Sequence, residues 1–167
     1  MKIKYALLAL PLVAAAFFLM GRMTAENQPQ LNAKTAENLS NAMHGEAFAY
    51  AKYMLYAEHA RNKGNEALAD LFTKNAQTER FEHFAEEAEL AGLVGSDEQN
   101  LQDAIKGETW EFDHMYPDYA AQAREAGDTA AANRFAEIRK DEGMHRDAFQ
   151  AALDKLQNKS AEASSDD

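Results

Sequence analysis

Residues Phe135 to His145 read FAEIRKDEGMH, and this stretch decides how the rest of the chain is to be read. Phe135, Ile138, Glu142 and His145 are spaced three, four and three residues apart, and Phe149, Ala152 and Leu156 continue the rhythm. That is the stripe of an amphipathic helix facing a core. A carboxylate and an imidazole stand inside it, where apolar side chains belong.

The same conflict recurs outward along the chain. An upstream stripe of Met43, Ala47, Tyr50, Met54 and Ala57 has Glu46 on its face. Another runs Leu101, Ala104, Glu108, Glu111 and Met115, so two glutamates replace core residues there. Between them, Glu79 is followed by Glu82 at i+3 and His83 at i+4, and both lie within reach of one face. Acidic pairs also arise by chance in a chain with 28 acidic residues, and Glu86 with Glu89 is read as solvated surface. The combination is harder to dismiss. A buried, unpaired carboxylate costs several kcal/mol or takes up a proton. Half a dozen in one core would unfold a domain whose total stability is ~5–15 kcal/mol. A cation of high charge resolves the conflict, and oxygen ligands with an imidazole suit iron, with manganese as the alternative.

The helices that carry these residues are delimited by turn signals. The first is predicted from about Thr35 to Lys63, ending at Gly64, and the second from about Asn65 to Ala91, ending at Gly92. Ser96 and Gln99 form a capping box that opens the third. It reaches Ala126 before Gly127, with a kink or break expected near Pro117. Asp128 caps the fourth, which runs to about Asn158, and residues 159–167 are expected to be a disordered tail. Long helices joined by short turns predict an all-α antiparallel four-helix bundle over residues 35–158. A bundle in which two helices supply single glutamates and two supply Glu-x-x-His is the ferritin-like di-metal arrangement.

Composition narrows the remaining possibilities. With no cysteine, disulfides, thiolate metal sites and thiol catalysis are excluded. A net charge of −11 argues against nucleic acid as a partner. Residues 1–25 hold two lysines and then an uncharged, mostly apolar run from Tyr5 to Met20, the layout of a cleaved signal peptide or an uncleaved membrane anchor. Residues 26–34 read as a linker. The expected location is therefore periplasmic, or on the outer face of the cytoplasmic membrane with the N-terminus as tether.

The motifs resemble those of the rubrerythrin family over roughly Leu39 to Leu156. "GEAFAYAKYMLYAEHARNKG" is similar to the family's first helix, which implies Glu46 as a metal ligand and Tyr53 as a tyrosine two turns on. "GETWEFDHMYPDYAAQAREAGD" resembles the family's G-E-x-x-E followed by M-Y-P, which implies ligands at Glu108 and Glu111 and a hydrogen-bonding tyrosine at Tyr116. "DEGMH" supplies E-x-x-H as Glu142 and His145. The second helix departs from the pattern. "ERFEH" has glutamate where the family has histidine, with His83 one place late. Family register implies Glu79 and Glu82 as ligands, whereas the apolar phase of Phe72, Ala76, Glu79 and His83 favours His83. Register is followed here, so Glu82 is expected to face the metals.

The resemblance implies two iron ions and a non-haem oxidoreductase that reduces hydrogen peroxide, with dioxygen as the other oxidant. Because the chain has no cysteine, it lacks the rubredoxin-like site of full-length rubrerythrins, and an external electron-donor protein is expected. A homodimer is also expected. The competing readings are an iron-binding or storage protein with ferroxidase activity, and a metal-free structural bundle.

Overall fold

A computed structural model describes residues 31–165, all of whose regular structure is helical. The signal or anchor segment, most of the 26–34 linker and the last two residues lie outside the described residues. None of the described helices is long and apolar enough to cross a membrane.

Four long helical stretches stand where the turn signals place them. The first is α1, Ala33–Asn62. The second comprises α2 (Glu66–Thr78), a π turn at Glu79–His83 and α3 (Phe84–Ala91). The third comprises α4 (Asp97–Trp110), a second π turn at Glu111–Met115 and α5 (Tyr116–Glu125). The fourth is α6, Thr129–Ser165. Gly64, Gly92 and Gly127 end the first three stretches with positive φ, a backbone region that L side chains enter only at a cost. The Ser96–Gln99 capping box is formed. The fourth helix runs past its expected end near Asn158, through a segment read as a disordered tail. That segment contains alanines and Glu162 but no glycine or proline to stop it.

A π turn, rather than a break, precedes Pro117. The amide of Tyr116 donates to the carbonyl of Glu111, five residues back. The next such bond would run from residue 117 to Phe112, but proline has no N–H. The carbonyl of Phe112 is paired instead by Arg139 of α6, whose Nε donates to it at 2.7 Å. The ring of Phe112 has the guanidinium of Arg139 at 4.3 Å and that of Arg146 at 4.7 Å. Gly143 makes room for that ring, since a Cβ there would lie 2.9 Å from its edge.

The packing departs from the expected bundle in one respect. α1 packs on α2, the first π turn and α3, while α4, the second π turn and α5 pack on α6. Among the described residues, no element of the first hairpin touches an element of the second. Among the described residues, the buried apolar ones are alanines plus Met43 and Leu153, and no large side chain is fully buried. Alanine seams such as Ala57, Ala69 and Ala76 let two helices approach closely within a hairpin. A third layer is needed to cover the larger side chains: Phe48, Leu55 and Phe81 remain 65–67% exposed.

Candidate metal centre

Each hairpin gathers two glutamates and a histidine. In the first, Glu46 of α1 meets Glu79 and His83, whose ligand atoms all lie within 4.8 Å of one another. In the second, Glu108 of α4 meets Glu142 and His145 of α6 on the same terms. The two clusters share their internal geometry. His83 Nδ1 lies 2.8 Å from Glu79 Oε2 and 3.7 Å from Glu46 Oε2. His145 Nδ1 lies 2.8 Å from Glu142 Oε2 and 3.7 Å from Glu108 Oε2.

That equality is reached with different spacings, and the π turn explains how. In an α-helix, i+3 lies about −60° and i+4 about +40° from residue i. A π turn holds one residue more, so i+4 across it stands near the place i+3 takes in a plain helix. Glu79 and His83 are four apart across such a turn; Glu142 and His145 are three apart in plain helix. The inserted residue therefore brings His83 to the cluster. Glu82, expected from register to face the metals, is exposed and outside the group. Register assumed an unbroken α-helix through ERFEH, and the π turn at Glu79–His83 departs from that assumption.

The electrostatics of both clusters are those of crowded carboxylates. Burial, and then the neighbouring Glu79, push the Glu46 carboxyl above its ordinary range. Burial, and then Glu142, do the same to Glu108 and to Glu111. The hydrogen bond with Glu79 raises His83. Oε2 of Glu108 is buried without a hydrogen-bond partner, and so is Oε2 of Glu87, whose charge is also felt at Glu46. An orphaned, buried carboxylate oxygen is costly unless a cation or a proton meets it. These oxygens, beside paired imidazoles, fit a divalent metal in each cluster. Sequence reasoning missed Glu87, although it lies one turn beyond His83 on the same face.

The remaining expected residues divide. Glu111 is close enough to Glu142 to feel its charge, and it lines an open groove with Trp110 and His114. The Tyr116 phenol is held above its ordinary value by burial and by Glu111, Glu142 and Glu108, which places it at the second cluster. Tyr53 instead packs its ring 6.1 Å from Phe72 and 6.4 Å from Tyr56. Glu86 and Glu89 are exposed, as read from the sequence.

A family model for rubrerythrin matches residues 37–83 and 79–153, two segments that overlap on the first π turn. The chain belongs to the rubrerythrin family. It is 33% identical over 144 residues to a rubrerythrin of Porphyromonas gingivalis, covering 79% of this chain and 72% of that one. Nigerythrin of Nitratidesulfovibrio vulgaris is 31% identical over 135 residues, covering 73% and 67%. Among solved structures, fully reduced, all-ferrous nigerythrin is 28% identical over 80% of this chain and 73% of that chain, with a TM-score of 0.39. Rubrerythrins are di-iron oxidoreductases, and two iron ions are the cofactor that the paired clusters of this chain fit.

Proposed function

We propose that the protein reduces hydrogen peroxide to water with electrons from a separate donor protein. The observation that carries this reading is the matched pair of Glu–Glu–His clusters. Together they offer six ligands, the complement of a ferritin-like di-metal site. Two ferrous ions held there would each supply one electron, the number needed to cleave an O–O bond. The balance is H2O2 + 2 e⁻ + 2 H⁺ → 2 H2O.

The chain's own residues bind, orient and protonate. Glu46, Glu79, Glu108 and Glu142 neutralise the cations, and His83 and His145 complete each set. Tyr116 stays a neutral phenol at physiological pH, because the surrounding carboxylates oppose its ionisation. Its O–H is thus a hydrogen-bond donor at the edge of the second cluster. Glu111 borders open space and is suited to carry a proton between solvent and the site. No cysteine is available for an iron–thiolate relay within these 167 residues, so reducing electrons enter from outside the chain. The apolar run from Tyr5 to Met20 supports an exported protein, periplasmic or tethered to the outer face of the cytoplasmic membrane.

The test is a single-turnover experiment. Protein loaded anaerobically with two ferrous ions per site and mixed with peroxide should consume one peroxide per site and become diferric within the mixing experiment. Oxidation by dioxygen that outpaces oxidation by equimolar peroxide would replace this reading with ferroxidase activity.

A further inference from the structure

We infer that each di-metal site is assembled from two copies of the chain, the first hairpin of one copy packing against the second hairpin of the other. The inference rests on the di-metal reading above and names the partner that completes it.

Each hairpin holds half a ligand set, and within one chain the halves do not meet. The connector explains why. A ferritin-like bundle needs one long crossover so that its second and third helices run in the same direction. With the clusters level, that crossover must offset the rise from Glu79 to the end of α3 and from the start of α4 to Glu108. At 1.5 Å per residue the two runs come to about 35 Å. Between Ala91 and Asp97 the chain spans at most about 22 Å when fully extended. It is also not free to extend. Gly92 is fixed in the left-handed region, and Gly95 exchanges two hydrogen bonds with the side chain of Asn100, at 2.8 and 3.1 Å. The capping box then fixes Ser96.

The uncovered surfaces fit a second copy better than any other occupant. A second copy carries the missing Glu–Glu–His set on the hairpin that this one lacks. The first hairpin leaves Phe48, Leu55 and Phe81 exposed, and the second leaves Trp110 and Met144 exposed. Reciprocal exchange under a two-fold axis covers both and makes two sites per dimer.

Complementation tests this. Glu79→Gln and Glu142→Gln each spoil one hairpin while keeping its size, and they relieve carboxylate crowding, so both variants should fold. Each alone should hold few complete two-iron sites. Unfolded together in equal amounts and refolded with ferrous iron, half of the dimers should be mixed. A mixed dimer would have one doubly altered site and one intact site, so about a quarter of the wild-type two-iron sites should return. No recovery above the separate variants would overturn the inference, because hairpins that close within a chain never form an intact site. A second measurement does not depend on the variants. Light scattering of the iron-loaded wild type should give twice the 18.6 kDa of the chain. A monomer holding two irons would overturn the exchange but leave the di-iron reading standing. A dimer that binds no metal would sink the di-iron reading itself.

Discussion

Removing Phe81 from the chain is expected to leave the metal site intact, an unusual outcome for a deletion inside a helix. In an α-helix, losing one residue rotates everything beyond it by about 100° and draws it back about 1.5 Å. Applied to α3, that would carry Ala88 off α1 and swing His83 away from Glu46. Across a π turn the residue is surplus, and its removal restores plain helix with Glu-x-x-His spacing. The cost in packing is small. Phe81 is 67% exposed, and full burial of such a side chain contributes about 1.5–3 kcal/mol, so no more than about 1 kcal/mol is lost. Arg80 loses the Phe81 ring at 5.5 Å, worth about 0.5–1 kcal/mol, but keeps that of Phe84 at 5.2 Å. Net destabilisation should stay within about 2 kcal/mol on those two figures. The control is deletion of Met144, equally exposed but in plain helix, which leaves the α6 histidine about 200° around the axis from Glu142. Iron per chain, measured after loading and desalting, should match the wild type without Phe81 and fall sharply without Met144. Equal losses in the two deletions would refute the account of the π turn.

Four further outcomes are expected. His83→Ala should remove iron from the first cluster, whereas Glu82→Ala should retain it; metal analysis of the two variants decides. In metal-free protein the raised Glu46, Glu108, Glu111 and His83 stabilise the fold below their ordinary values, and that stability is lost as pH rises through the folded ones. Its melting temperature should therefore rise as pH falls from 8 towards 5, while iron-loaded protein, which needs the carboxylates ionised, should show the opposite slope. Gly143→Ala should cost about 1–3 kcal/mol by overpacking, seen as a lower melting temperature, because the Phe112 ring is flanked by two arginines and cannot swing aside. Arg139→Met should cost about 1–3 kcal/mol by orphaning the Phe112 carbonyl, and near-neutral thermal stability would show that water replaces the guanidinium.

Much of this was legible in the residues. Gly64, Gly92 and Gly127 marked the helix ends because only glycine turns there without strain. Glu46, Glu108, Glu142 and His145 stood out because charged groups on an apolar stripe need a reason. The π turn was not legible as such, since helical periodicity assumes a constant turn. Its trace was the extra residue between Glu79 and His83, set against the three-residue step from Glu142 to His145. The separation of the hairpins was also hidden. An apolar stripe says that a face will be covered, but not by which chain.

The hairpin exchange inferred from the short connector between α3 and α4 would also set how the protein behaves in time. A bundle that closes within one chain forms in a first-order step, indifferent to how many chains are present. Hairpins exchanged between chains would first have to meet, so site formation would be second-order and would slow steeply on dilution. A sparse, newly made population would wait with its apolar faces open to water. Once formed, such a dimer would release a chain only by unpacking both bundles, and so would be slow to part even where its equilibrium favoured separation.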